Sequence, residues 1–145
     1  MTPQELAQRL NRQFVGTLME HDGIEILSAG EGRARARVEF KPELGQVTGL
    51  FHAGVIMGLA DTTATVAAIW EFDPQARLQP ERFPLSIQMS TNLIRNTNHG
   101  ALIADAELVH RGRTTVIADV RVTDDQARLI AKASVTLLAP KGASY

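Results

Sequence analysis

The 145-residue chain contains no cysteine, which excludes disulfide frameworks, thiolate catalysis and cysteine-ligated metals. It also has almost no excess charge. A formal net charge of −1 leaves no broad basic field to hold nucleic acid or an anionic membrane surface. Its four histidines are scattered and show no metal-ligand spacing. We therefore expect no metal, no cofactor and no nucleic-acid partner.

The chain also lacks the patterns of membrane and export segments. It does not begin with a basic stretch followed by an apolar one, so no signal peptide is expected. The longest apolar stretch, residues 53–70, is interrupted by Asp61, and a carboxylate in mid-membrane is costly. The sequence therefore favours a cytoplasmic protein without a membrane span.

The first residues predict a helix. Thr2 is a suitable N-cap, Pro3 occupies the first helical position, and Glu5 completes a capping box. Apolar residues then recur at four-residue spacing: Leu6, Leu10, Phe14 and Leu18. We expect a helical region over about residues 3–20, which ends near Gly23.

Alternating apolar and polar residues predict six antiparallel strands with one buried face. The strands are expected at residues 24–29, 33–40, 85–93, 101–111, 114–123 and 128–138. Residues 72–84 are typical of a long loop, and the residues from Pro140 onward are typical of a tail.

Residues 53–70 predict a helix that is apolar on nearly every side and belongs inside a core. The economical arrangement is an α+β fold, in which an antiparallel sheet wraps around this long central helix. We expect one domain over residues 1–145, with an N-terminal helix and a core over about 23–139. A partner subunit would cover the remaining face of the central helix.

The central helix carries one anomalous residue, Asp61. Burying an unpaired carboxylate costs desolvation free energy, so Asp61 needs hydrogen bonds or a solvent-filled cleft. Helical spacing places Gly54, Gly58, Thr65 and Ala68 on the same stripe as Asp61. This stripe of small residues predicts a groove that contains a carboxylate. The alternative is a buried carboxylate that accepts hydrogen bonds from a loop.

The start of the same helix is a candidate oxyanion site. Its first backbone N–H groups are unpaired and favour negative charge, and Gly54 would let a substrate oxygen approach them. Gly54 and Asp61 are seven residues apart, which corresponds to ~10 Å along the axis. One helix cannot bring both to one carbonyl, so catalysis would require the helix start of another subunit.

Segment 50–62, LFHAGVIMGLADT, resembles the His-Gly-Gly-…-Leu-Ala-Asp signature of PaaI-like hotdog-fold acyl-CoA thioesterases. Residues 100–133 resemble the C-terminal strands of that family. The resemblance implies a hotdog fold, a homodimer that assembles into a homotetramer, and acyl-CoA hydrolysis at the dimer interface. It departs from the signature at Ala53, where relatives have glycine.

The resemblance also implies roles for individual residues. Asp61 would act as general base or nucleophile, and Gly54 would supply an oxyanion N–H. Thr65 would place the water or the carboxylate, and Ser86 would face the site from a neighbouring strand. Gln46 stands where many relatives have asparagine and can still donate a hydrogen bond.

The remaining candidates have structural alternatives. His52 would orient the loop before the helix, although a histidine bonded to the backbone is an equal explanation. Thr65, inside a helix, can instead bond a carbonyl of its own helix. Arg111 and Arg113 would bind CoA phosphates, although arginines in turns are commonly just solvated.

Two other functions fit the same fold. A hotdog hydratase or dehydratase acting on acyl-CoA or acyl-ACP would pair its carboxylate with a histidine, but Val66 stands five residues after Asp61. A non-catalytic acyl-CoA-binding protein would keep the groove without needing the acid. Asp61 therefore favours the thioesterase.

Overall fold

The N-terminal helix begins as the sequence predicts. In the computed structural model, which describes residues 1–140, α1 (Pro3–Gln13) has Thr2 as its N-cap. The Glu5 N–H donates to Thr2 Oγ1 at 3.1 Å, and the Thr2 N–H donates to Glu5 Oε2 at 2.6 Å. These bonds to Thr2 lower the pKa of Glu5. The predicted tail lies outside the described residues, apart from Pro140.

The helical region is not continuous, which corrects the expectation of one stripe up to Leu18. The chain leaves α1 at Phe14, turns at Gly16 (φ 79°) and forms a second short helix, α2 (Leu18–Asp22). Leu6, Leu10 and Phe14 are buried as predicted, whereas Leu18 is exposed. The left-handed backbone at Gly16 breaks the helical period, so the apolar stripe ends with α1.

One six-stranded antiparallel sheet forms the body of the fold, in the order β1-β2-β4-β5-β6-β3. Its strands are β1 (Glu25–Gly30), β2 (Arg33–Glu39), β3 (Leu85–Leu93), β4 (Ala101–Arg111), β5 (Thr115–Thr123) and β6 (Leu129–Leu138). The predicted alternation is confirmed in β2 and β5, where one face is buried: Ala34, Ala36, Val38, Val116, Ala118, Val120 and Val122.

The central helix, α3 (Ala53–Phe72), connects β2 to β3 and packs chiefly against β4, β2 and β5. It is long and apolar enough to cross a membrane, but half of it is buried inside the fold. One face of it stays open within this chain, as expected; that a partner subunit covers this face stays a prediction. Gly54 is exposed, and Gly58, Asp61 and Thr65 are half-buried, whereas Ala68 is fully buried. The predicted groove is therefore open in this chain as far as Thr65.

Strand β3 contains a bulge at Ile87 that changes which side chains face α3. Ser86 pairs with Leu137 and Met89 with Val135, so the register shifts by one residue between them. Both partners on β6 are buried against the core. Ser86 therefore faces the helix together with Met89, whereas uninterrupted alternation would have placed it on the opposite face.

Candidate active site

The bulge brings Ser86 to Asp61, at the middle of α3. Ser86 Oγ donates a hydrogen bond to Asp61 Oδ1 at 2.5 Å. Within residues 1–140, Asp61 Oδ2 has no hydrogen-bond partner. The carboxylate is thus oriented by one neutral donor and keeps a second oxygen available to a water or a substrate.

The Thr65 hydroxyl bonds a carbonyl of its own helix, which is the structural alternative to a role in placing the water or the carboxylate. Its Oγ1 donates to the backbone oxygen of Asp61 at 2.9 Å, one turn earlier in α3. Thr65 therefore lies next to the carboxylate on the same stripe, but its hydroxyl proton is directed at the backbone. A Cβ added at Gly58, on the same stripe, would meet no atom within 4 Å from other parts of residues 1–140.

The start of α3 is capped by His52, whose ring is exposed. His52 Nδ1 accepts a hydrogen bond from the Gly54 N–H at 2.8 Å. This contact requires the neutral tautomer that carries its proton on Nε2. The same N–H is the expected oxyanion donor, so the ring must turn away from Gly54 before a substrate oxygen can take its place.

The loop before α3 is held by residues that the sequence motifs did not indicate. Asn96 Nδ2 donates to the Phe51 carbonyl at 2.9 Å, and the Phe51 N–H donates to the Thr97 carbonyl at 3.0 Å. On the other side, the His52 N–H donates to the Leu44 carbonyl at 2.9 Å. The β3–β4 connection therefore fixes where α3 begins.

His52→Ala is expected to lower the free energy of unfolding by about 1 kcal/mol, because an alanine N-cap leaves the Gly54 N–H unpaired. His52→Asn should restore most of this loss, since asparagine is a strong N-cap. Urea unfolding of the two variants and the wild type measures the difference. Equal destabilisation by both substitutions would show that the cap contributes nothing.

The other predicted substrate-binding residues do not gather around Asp61 within one chain. Gln46 turns back into its own loop, where its Oε1 accepts from the Thr48 N–H and, at 2.8 Å, from Thr48 Oγ1. Arg111 Nε pairs with Glu71 Oε2 at 3.2 Å, at the far end of α3. Glu71 is ten residues beyond Asp61, or ~15 Å along the axis. Arg113 is exposed in the β4–β5 turn.

A cavity of about 370 Å³ opens beside the carboxylate. Asp61, Thr65 and Ser86 lie on its wall, together with apolar residues from α1, from α3 and from the loop before β3. The loop between α3 and β3 and the turn between α1 and α2 therefore form part of the cavity wall. Across the part of the chain that the structure describes, no group of three potential metal ligands is found.

The Asp61 carboxylate, hydrogen-bonded by Ser86, lies on the wall of a largely apolar cavity, and the helix that carries it is wrapped by an antiparallel sheet as in a hotdog fold. The sequence model of the thioesterase superfamily matches residues 48–131, which is more than half of the chain and includes all of α3. The chain belongs to the thioesterase superfamily: it is a PaaI-like hotdog-fold enzyme that hydrolyses thioesters.

Individual relatives agree with this assignment. The 1,4-dihydroxy-2-naphthoyl-CoA hydrolase of Listeria monocytogenes is 27% identical over 124 residues, which cover 86% of this chain and 96% of the relative. A Streptococcus mutans protein bound to acetyl-CoA has a TM-score of 0.71 at 25% identity, covering 80% and 87% of the two chains. The PaaI protein of Thermus thermophilus shares the fold, with a TM-score of 0.73 at 21% identity and coverages of 83% and 96%.

Proposed function

We propose that the thioester is an acyl-CoA, hydrolysed to a free acid and CoA, and that Asp61 carries out the reaction as general base or nucleophile. The observation that carries this proposal is the Asp61 carboxylate on the cavity wall, fixed through one oxygen by Ser86. The oxygen that remains can accept a proton from water or attack the thioester carbonyl.

The negative charge that develops on the carbonyl oxygen needs donors that Asp61 cannot supply. We assign this role to the Gly54 N–H at the start of α3, with His52 as the side chain whose Nδ1 accepts from it in this structure. Seven residues separate Gly54 from Asp61, or ~10 Å along the helix. The donor must therefore come from the α3 of a second subunit.

The edge of the sheet supports such a dimer. Strand β3 lies at the end of the strand order and exposes large apolar side chains, with Leu85 58%, Ile87 55% and Leu93 48% exposed. An open strand edge with apolar side chains is a natural pairing surface. Pairing two β3 strands would place the open stripe of each α3 near the other subunit. We propose that the chain forms this homodimer, and that two dimers assemble into a homotetramer.

The CoA phosphates require basic side chains near the interface. Arg113 makes no ion pair within residues 1–140 and is available for this role in the assembled enzyme. Arg111 could bind a CoA phosphate only if its ion pair with Glu71 breaks. Gln46 could bind the substrate only if its hydrogen bonds with Thr48 break. We further propose a cytoplasmic enzyme; α3, the one helix of residues 1–140 apolar enough to cross a membrane, is half buried inside the fold.

Thiol release from a panel of aryl-, short-chain and medium-chain acyl-CoAs tests the substrate class. The Listeria relative and the Streptococcus protein justify including aryl-CoA and acetyl-CoA in the panel. We expect hydrolysis of at least one member with kcat/KM of about 10⁴ M⁻¹s⁻¹ or more, the range of ordinary enzymes. No hydrolysis across the panel would overturn acyl-CoA as the substrate.

A further inference from the structure

One hydroxyl group on the wall of the cavity beside Asp61 is not engaged by the protein. The residues with a hydroxyl that line this cavity are Thr17, Thr62, Thr65 and Ser86. Ser86 donates to the Asp61 carboxylate, and Thr65 donates to the Asp61 backbone oxygen. Thr17 donates to the backbone oxygen of Phe14. Within residues 1–140, the Thr62 hydroxyl has no hydrogen-bond partner.

The free hydroxyl of Thr62 is unusual for its place inside a helix. A threonine in a helix commonly donates to the carbonyl one turn earlier. Thr63 does so with Leu59 at 2.6 Å, and Thr65 does so with Asp61 at 2.9 Å. Among the described residues, Thr62 makes no such bond. Its hydroxyl proton is therefore available to a molecule in the cavity.

Thr62 directly follows Asp61 in α3, and both line the same cavity. Asp61 Oδ2 also has no hydrogen-bond partner within residues 1–140, so a free donor and a free acceptor are neighbours on this wall. The wall beyond Thr62 is apolar, since Val66 and Ile69 follow it at helical spacing and line the cavity too. A water in such a cavity needs roughly two to four polar partners. Thr62 and Asp61 offer two of them.

We propose that Thr62 is the residue that positions the hydrolytic water for Asp61. The Thr62 hydroxyl donates to the water, and the water donates to Asp61 Oδ2, which leaves its second lone pair free to attack the thioester carbonyl. As the oxygen–carbon bond forms, one water proton passes to Asp61 Oδ2. The carbon–sulfur bond then breaks, and that proton passes to the departing thiolate. The products are the free acid, which keeps the second water proton, and the thiol.

This inference rests on the proposed function, and within it assigns Asp61 the role of general base. It also moves the placing of the water from Thr65, to which the family resemblance assigns it, to Thr62. Thr65 cannot donate to the water, because its proton is directed at the Asp61 backbone.

Steady-state thiol release from acyl-CoA tests the assignment in variants of the full-length enzyme. Thr62→Val keeps the β-branched shape and removes the hydroxyl, so kcat should fall by about tenfold with KM unchanged, the effect of one hydrogen bond. Thr62→Ser keeps a hydroxyl and should recover kcat to within about twofold of the wild type. Thr65→Val is the matched control and should change kcat by less than about twofold, because it removes only a bond to the backbone.

A second readout, independent of turnover, is the position of the water. A crystal structure of the wild type should show a water within ~3.2 Å of both Thr62 Oγ1 and Asp61 Oδ2. This water should be absent or displaced in Thr62→Val and retained in Thr65→Val.

The outcomes distinguish this inference from the proposed function. If Asp61→Asn is impaired while Thr62→Val keeps full kcat, the function stands and Thr62 does not position the water. A loss of kcat in Thr65→Val alone gives the role to Thr65. If the wild type hydrolyses no acyl-CoA, the proposed function is refuted, and the crystallographic water decides the inference. If Thr62→Val does not fold, Thr62→Ala serves as the variant without a hydroxyl.

Discussion

Asp61→Asn is expected to reduce kcat for acyl-CoA hydrolysis by about 10³-fold, in the range of a general base. The asparagine has the size of the aspartate, and its carbonyl oxygen can still accept the hydrogen bond from Ser86. It can neither take a proton from water nor attack the thioester. Thiol release measures the loss, and an unchanged thermal midpoint would show that the fold is intact.

Ser86→Ala is the matched control for this prediction. It keeps the carboxylate and removes only the hydroxyl that orients it, so kcat should fall by about tenfold, the value of one hydrogen bond to a charged group. Undiminished hydrolysis by Asp61→Asn would show that Asp61 is neither the general base nor the nucleophile, whatever the effect of Ser86→Ala.

Ile87→Lys is expected to convert the enzyme to a monomer and to lower kcat/KM by about 10²-fold or more, the cost of losing one oxyanion donor. Ile87 lies at the bulge of the edge strand β3 and is 55% exposed. A lysine there discourages strand pairing, as it does at natural sheet edges. Light scattering gives the assembly state, and thiol release at the same concentration gives the activity.

Val109→Lys provides a control of equal exposure. Val109 is also 55% exposed, but it lies on β4, an interior strand of the sheet. This substitution should leave both the dimer and the activity unchanged. A monomeric Ile87→Lys protein with full activity would contradict the shared site.

Features with a local signal were predictable from the sequence. The capping box at Thr2 and Glu5 is a short motif, strand β5 follows from a repeat of two residues, and helix α3 follows from a long apolar run. Asp61 was conspicuous in the sequence as a carboxylate within an apolar segment, and it lies on a cavity wall; its catalytic role stays a prediction.

Features that depend on distant neighbours were not predictable in the same way. The resemblance indicated that Ser86 faces the site, but strict alternation along β3 would have turned it away, and only the bulge at Ile87 resolves this. Gln46 and Arg111 found partners, Thr48 and Glu71, that no motif indicates. The cavity beside Asp61 needed the break after α1 and the loop that carries Leu78, and neither has a periodic signal.

Subunit complementation tests the central claim, which is that Asp61 of one subunit works with the helix start of another. Gly54→Pro removes the N–H that His52 covers, at a first-turn position where no hydrogen bond within the helix is lost. Gly54→Ala keeps the N–H and controls for added bulk, although its Cβ would press on the His52 ring. Asp61→Asn and Gly54→Pro should each be inactive alone.

The two inactive proteins are then unfolded together and refolded as a mixture. If the site is shared, each mixed dimer has one intact site and one doubly damaged site, so the mixture should regain about a quarter of wild-type activity. If each site lies within one subunit, every site in the mixture carries one lesion. A mixture that forms dimers but remains inactive would contradict the shared active site.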